Sequence, residues 1–190
     1  MTETPQEVDE TYKLVLQVVN VLGYTFMMTS LVLYILDLQI ATLYELVIGR
    51  ADGLYGERYD STVDPSGYVF GIWPVIYTGW AFFIAYQALP SEWVPSRNDK
   101  LIFNDIGYMM VANMVSFAAF TIFWSFANSL FYHIGSLCSI ISMLATALYI
   151  LYQSSKNEVD WIELVVLRGT FSLYAGWLSA ATILVAKAFL

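Results

Sequence analysis

Apolar residues fall in five long runs along the chain, and polar stretches separate them. A bilayer-crossing helix needs about 20 mostly apolar residues, and no run shows the two-residue alternation typical of a barrel strand. Each run therefore predicts a transmembrane helix. The predicted spans are residues 14–36, 67–89, 106–126, 132–152 and 164–189. They make one membrane domain over residues 14–190, after an acidic tail at residues 1–13, with the two termini on opposite faces.

The polar connections between the runs differ in kind. Residues 38–49 are apolar at helical spacing, so they either extend the first span or lie along the membrane interface. Residues 51–67 are rich in Gly, Asp and Ser and predict a polar loop. Only a few residues around 127–131 join the third and fourth spans, which predicts that these two helices are antiparallel neighbours.

Composition supports a membrane protein and excludes some partners. Apolar residues make up 58% and charged residues 13% of the 190 residues, against about 45–50% and about 25% in soluble domains. A net charge of −8 without a cluster of Lys and Arg argues against a nucleic-acid partner. The acidic start is unlike a secretory signal or a transit peptide. The compartment is therefore left open, with a mitochondrial membrane as one candidate.

Aromatic residues recur at helical spacing on three of the predicted spans. Phe70, Trp73, Tyr77 and Trp80 share one face of the second span. The third span carries the stripe Asn113, Phe117, Phe120 and Trp124, and the fifth carries Thr170, Tyr174, Trp177 and Ala181. Such stripes are more often packing or interfacial belts than ligand walls. The amides of Asn20 and Asn113 lie at membrane depth and are expected to face the bundle interior.

The remaining candidate side chains indicate structural roles. Cys138 lies in an apolar run and is expected to be a buried, inert thiol. His133 has no second His or Cys at ligand spacing, so neither a metal nor a haem site is predicted. Glu163 and Arg168 predict an interfacial pair or snorkelling side chains. Pro74 is expected to kink or loosen the first turns of the second span. No nucleophile with a paired base and no phosphate loop is visible, so neither an enzyme nor a cofactor is predicted.

Three segments resemble the TspO/MBR family, the tryptophan-rich sensory proteins and translocator proteins. They are "DPSGYVFGIW" running into "FGIWPVIYTG" on the second span, "FWS" at the end of the third, and "FSLYAGWLSAAT" on the fifth. The resemblance implies a five-helix bundle with an interhelical pocket for sterols, porphyrins or similar planar ligands. It also implies the ligand-binding residues, which are Trp73, Tyr77, Trp124, Tyr174, Trp177 and Ala181.

The chain departs from the family pattern at several polar positions. Thr121 and Val185 stand where the family has asparagines, and Leu173 stands where it has a proline. The Lys-Pro-aromatic loop after the first helix is replaced by the acidic segment at residues 51–67. This pattern is expected if the fold is kept and ligand binding is weakened.

Two functions from different classes are consistent with the sequence. One is a membrane protein that binds a planar hydrophobic ligand, a porphyrin or a sterol, as a sensor or a transporter. The other is a non-catalytic accessory subunit of a larger membrane complex, for instance a mitochondrial respiratory complex, that keeps the fold without the binding. The first predicts a monomer or homodimer in the bilayer, and the second predicts stable association with other membrane proteins.

Overall fold

The described chain is helical throughout. The structure, a computed structural model, describes residues 8–48, 70–125 and 130–187, and no strand occurs among them. The helices are α1 (Glu10–Ile48), α2 (Ile72–Ala88), α3 (Met109–Ser125), α4 (Leu130–Lys156), α5 (Trp161–Glu163) and α6 (Thr170–Lys187). Two π-helical segments, Lys100–Ile106 and Leu164–Gly169, precede α3 and join α5 to α6. The predicted all-α class is therefore confirmed over these residues.

The predicted count of five spans is not confirmed by helix length and composition. Among the described residues, three stretches are long and apolar enough to cross a membrane: Glu10–Leu36, Leu130–Lys156 and Trp161–Ala186. Lys100–Ile106 and Met109–Ser125 make a fourth if they count as one span bent by 62°. Helix α2 has only 17 residues, because it begins at Ile72, five residues after the predicted start of the span. Residues 67–69 of the predicted span lie outside the described ranges.

The length of α1 decides between the two arrangements predicted for the segment after the first span. It continues through Asp37 to Ile48 without a break, so residues 38–48 extend the first helix. The predicted loop at residues 51–67 lies outside the described residues.

The helices pack in a closed order around a shared interior. α1 contacts α2 and α3, α4 contacts α3 and α6, and α6 contacts α2. Going round the bundle, the order is therefore α2, α1, α3, α4, α6 and back to α2. Residues on the inner faces of α2, α3 and α6 can meet in such an arrangement, although these helices are far apart in sequence.

A glycine allows the bend before α3. Gly107 has φ +48° and donates its amide to the carbonyl of Ile102 at 3.1 Å. A side chain at this φ would be strained, and a Cβ would also lie 3.2 Å from the carbonyl oxygen of Phe103. The bend sets Lys100–Ile106 at an angle to α3.

The two membrane-depth asparagines face the bundle interior, as predicted. Asn20 of α1 is buried and donates Nδ2 to Oε1 of Gln87 on α2 at 2.8 Å. Asn113 of α3 is buried and donates Nδ2 to the carbonyl of Met143 on α4 at 2.8 Å. Each amide therefore joins two neighbouring helices.

The prediction of a buried Cys138 is wrong, because its side chain is exposed on α4. Cys138 is not part of the inward face of α4, which includes small polar residues. This face consists of Ser136, Ser139, Ile140, Met143, Ala147, Ile150 and Ser154. Ile134 and Ile141, about one turn to either side of Cys138, are exposed as well, so Cys138 belongs to an apolar outward face, which is the lipid side of a membrane helix.

Candidate functional site

Five aromatic rings from three helices meet around Trp73. The indole of Trp73 stacks on Tyr77 of the same helix, with ring centroids 5.4 Å apart and planes 16° apart. Its edges and faces meet Phe117 of α3 at 5.9 Å, and Tyr174 and Trp177 of α6 at 6.3 Å and 5.8 Å. We call these five residues the aromatic cluster. Most of these pairs are edge-to-face, an arrangement that stabilises aromatic contacts by about 0.5–1.5 kcal/mol beyond area burial.

Further rings continue the aromatic cluster in both directions along α2. Two residues before α2, Phe70 meets Trp177 edge-on at 5.6 Å and is 46% exposed. About one turn after Tyr77, Trp80 meets Tyr174 at 4.9 Å and stacks on Phe171 at 5.7 Å. The interface between α2 and α6 is therefore aromatic over most of its length.

Burial differs between the two sides of the aromatic cluster. Tyr174, Trp177 and Phe117 are buried, whereas Trp73 and Tyr77 are only half-buried. The rings of the aromatic cluster on α3 and α6 are therefore enclosed by protein, whereas those on α2 keep accessible surface.

Pro74 fits the beginning of α2 without breaking the helix. The helix begins at Ile72, so Pro74 lies in the first turn, where backbone amides have no intrahelical acceptor. At this position Pro74 removes no intrahelical hydrogen bond, so it gives no cause for the expected kink beside Trp73. Thr78 donates its hydroxyl to the Pro74 carbonyl at 2.7 Å, which adds a local contact in the following turn.

The six residues expected at the site separate into two groups. Ring contacts join Trp73, Tyr77, Tyr174 and Trp177, directly or through one another. Trp124 stacks on Phe120 at 5.7 Å, about two turns beyond Phe117 on α3. Ala181 is partly buried about one turn beyond Trp177. The structure thus places Trp124 and Ala181 further along the same helix faces.

Two contributors lie in the predicted aromatic stripes but were not among the six expected ligand-binding residues. Phe117 lies four residues after Asn113 on the α3 stripe and touches both Trp73 and Tyr77. Trp80 lies on the α2 stripe, three residues after Tyr77, and is fully buried against α6.

Thr121 and Val185, which stand where the resembled family has asparagines, have structural roles in this chain. Thr121 is buried and donates its hydroxyl to the carbonyl of Ala118 at 2.8 Å, within its own helix. Val185 is buried in the apolar core. Neither side chain adds an amide near the aromatic rings.

A group of charged side chains lies at the other end of α2 and was not predicted. Asp99 accepts from Lys13 Nζ at 2.5 Å and from Arg97 Nε at 2.5 Å. Lys13 and Arg97 are themselves buried. We call Lys13, Arg97 and Asp99 the charged cluster. Burial would raise the pKa of Asp99, but hydrogen bonds and charge from Arg97 and Lys13 outweigh it and hold that pKa below its usual value.

Arg97 also caps the carboxyl end of α2. Its Nη1 donates to the carbonyls of Tyr86 at 3.1 Å, Gln87 at 3.1 Å and Leu89 at 2.7 Å. The last carbonyls of a helix have no intrahelical donors, so a cation at this position satisfies them and complements the helix dipole. The charged cluster thereby ties the start of α1 to the end of α2.

Of the two alternatives predicted for Glu163 and Arg168, an interfacial pair or snorkelling, the pair does not form, and both side chains hydrogen-bond to backbone groups. Buried Glu163 accepts from the amides of Asn98 at 2.7 Å and Asp160 at 3.1 Å, and forms a capping box with Asp160. Arg168 donates to the carbonyls of Ser154 and Asn157. Both side chains fix the short connection between α4 and α5.

The comparisons with known proteins point to one family. The model of a family described as TSPO-like protein matches residues 17–190. No curated protein and no solved structure matches the chain. The matched residues include all of α2 to α6 and every residue of the aromatic cluster.

Proposed function

Because the chain belongs to the TSPO-like protein family, we propose that it is a five-span membrane protein that binds a planar hydrophobic ligand at the aromatic cluster. Porphyrins and sterols are the ligand classes that the family resemblance suggests. The protein would act as a sensor or a transporter of this ligand.

The half-buried indole of Trp73 is the observation that carries this proposal. It presents ring surface at the meeting point of α2, α3 and α6, with further rings at 5.4 to 6.3 Å. Flat apolar walls with few polar groups suit a flat apolar ligand. The aromatic cluster contains no ionisable side chain apart from its two tyrosines, so any charged groups of a ligand, such as the propionates of a porphyrin, would have to lie outside the aromatic cluster.

The expected affinity is modest. A dissociation constant near one micromolar corresponds to about −8 kcal/mol, which a few stacked ring faces can supply in addition to apolar burial. Thr121 and Val185 supply no amide to orient the ligand. We therefore expect weaker and less selective binding than in family members with asparagines at these positions.

The observed packing also favours a second candidate function. Trp73 meets four other rings, so the aromatic side chains fill much of the space between α2, α3 and α6 themselves. A bundle packed in this way would suit a non-catalytic accessory subunit of a larger membrane complex, including a mitochondrial one.

Titration of the purified protein with protoporphyrin IX tests the binding proposal, and the porphyrin Soret band reports occupancy. We expect a saturable change with a micromolar dissociation constant. A change that grows linearly, as in empty detergent micelles, contradicts the proposal. Native electrophoresis in mild detergent tests the alternative, because a binder migrates as monomer or dimer whereas an accessory subunit migrates with a large assembly.

A further inference from the structure

Helix α1 presents one polar side chain in each turn toward α2. These side chains share one face of α1, and we call them the polar seam: Lys13, Gln17, Asn20 and Tyr24. Each donates a hydrogen bond to α2 or to the segment that follows it. In chain order the acceptors are Asp99 at 2.5 Å, the carbonyl of Gln87 at 2.7 Å, the side chain of Gln87 at 2.8 Å and the carbonyl of Tyr77 at 3.1 Å.

The middle of the polar seam leaves one acceptor and one donor unpaired. Asn20 Nδ2 donates to Gln87 Oε1, but Asn20 Oδ1 and Gln87 Nε2 have no hydrogen-bond partner among the residues that the structure describes. Asn20 is 2% exposed and Gln87 is fully buried. Buried amides are ordinarily hydrogen-bonded to protein or to ordered water, and an unpaired one destabilises the fold.

This imbalance does not depend on which way the two amides point. If both are turned over, Gln87 donates to Asn20, and the oxygen of Gln87 and the nitrogen of Asn20 become the unpaired atoms. A single hydrogen bond joins two groups that each carry a donor and an acceptor. One donor and one acceptor are therefore left over in either orientation.

Neighbouring polar groups of the polar seam are already engaged. The carbonyl of Gln87 accepts from Gln17 at 2.7 Å and from Arg97 at 3.1 Å, and Lys13 donates to Asp99. The missing partner must therefore both donate and accept. A hydroxyl group does both, whereas a carbonyl or a carboxylate only accepts and an ammonium only donates.

We propose that the polar seam binds a water molecule, which accepts from one of these two amides and donates to the other. A buried water needs two to four polar partners, and the two amides supply two. Lys13 lies about two turns before Asn20 on α1, and Gln17 between them is only half-buried. Polar side chains thus continue from the charged cluster to the amides, which gives water a path that a bulkier lipid hydroxyl does not have.

The bound water would join α1 to α2 a second time at this level. Apolar packing alone gives a membrane helix little preference for another helix over lipid, so hydrogen bonds between helices contribute to their association. This inference is independent of ligand binding at the aromatic cluster.

Cross-relaxation between water and the Gln87 side-chain amide tests the proposal. It is measured by NMR in the rotating frame on the isotope-labelled full chain in nanodiscs, where a long-lived bound water gives a cross-peak of opposite sign to hydrogen exchange. The Gln87 signal is assigned by its loss in Gln87→Met. We expect a cross-peak of the bound-water sign at the water frequency in the wild type.

Asn20→Leu removes one partner of the water and should abolish most of this cross-peak. Thr25→Val is the matched control on the same helix, because the Thr25 hydroxyl lies on the exposed side of α1 and donates to the carbonyl of Val21 at 2.9 Å. It should keep the full intensity.

The wild-type spectrum decides the question even if Asn20→Leu does not fold. Absence of the cross-peak in the wild type overturns the proposal, and so does a cross-peak to lipid protons in place of water, which would identify a lipid hydroxyl as the occupant. An unchanged cross-peak in folded Asn20→Leu also overturns it.

Discussion

At Gly79, helix α2 approaches Thr170 at the start of α6 so closely that a side chain would not fit. A Cβ at this position would lie 2.3 Å from Oγ1, 2.7 Å from Cγ2 and 3.1 Å from Cβ of Thr170. Contacts below 3.0 Å force atoms apart, and Thr170 is β-branched and has little rotamer freedom within a helix. The small residue therefore sets the separation of α2 and α6, on which the ring contacts of the adjacent Trp80 depend.

Gly79→Ala is expected to destabilise the protein by about 1–3 kcal/mol through overpacking, measured as a lower melting temperature in detergent. Gly176→Ala on α6 is the matched control, because nothing lies within 4 Å of a Cβ there and alanine favours a helix over glycine. Thr170→Ala should restore part of the loss in the double variant. Equal melting temperatures for the two glycine variants would show that the approach is not tight.

Helical spacing predicted the meeting of Trp73, Tyr77, Tyr174 and Trp177, because each stripe is a local property of one helix. Spacing also carried the information for Cys138, which lies off the α4 stripe through Ser139 and Ser154. The error arose because an apolar run was read as buried. In a membrane helix the lipid side is also apolar, so hydrophobicity does not separate the inward face from the outward face.

At the scale of elements, the charged cluster fixes the carboxyl end of α2. Arg97 pairs with Asp99. It also donates hydrogen bonds to two carbonyls in the last turn of α2 and to the carbonyl of the residue that follows the helix. Lys13 brings α1 to the same carboxylate. The folded-state pKa of Asp99 is lowered, so the stabilisation is present above the unfolded value of roughly 3.9 and is lost as pH falls through the lower folded value.

Asp99→Asn is expected to lower the stability at pH 7 by roughly 1–3 kcal/mol, since buried Arg97 and Lys13 lose a charged acceptor. The melting temperatures of variant and wild type should converge as the pH falls below about 4. Glu10→Gln is the control, because Glu10 is 84% exposed in its pair with Lys13 and should change little. A difference between Asp99→Asn and wild type that stays constant from pH 7 to pH 3 would contradict this account.

The charged cluster could not be predicted from the sequence, for a physical reason. Lys13 and Asp99 are 86 positions apart, and each lies next to a polar segment where solvated charges are expected. Only the packing of α1 against α2 brings them together. Asn20, by contrast, lies within an apolar run, where an amide needs a hydrogen-bond partner inside the protein. Its inward orientation could therefore be predicted.

At the scale of the whole molecule, the packing order places the ends of the helices on two sides. The charged cluster side holds the start of α1, the end of α2, the segment before α3 and the connection from α4 to α5. The start of α4 lies at the opposite end of its helix. In the proposed five-span arrangement these sides are the two faces of the membrane.

This topology predicts opposite labelling of Glu92→Cys and Leu130→Cys, both made in a Cys138→Ser background. Both positions are exposed, and a membrane-impermeant maleimide applied to sealed vesicles should reach only one of them from a given side. A C-terminal tag should share the side of Leu130. Labelling of both cysteines from the same side would contradict five spans.

The central proposal, ligand binding at the aromatic cluster, is tested most directly by comparing Trp73→Leu with Trp161→Leu in the protoporphyrin IX titration. Trp73 is the hub of the aromatic cluster, whereas Trp161 is 71% exposed at the start of α5, near the charged cluster side. The account predicts that Trp73→Leu raises the dissociation constant at least about ten-fold, equivalent to about 1.4 kcal/mol, while Trp161→Leu leaves it within about two-fold. Equal affinities for Trp73→Leu and the wild type, or a larger loss in Trp161→Leu, would contradict it.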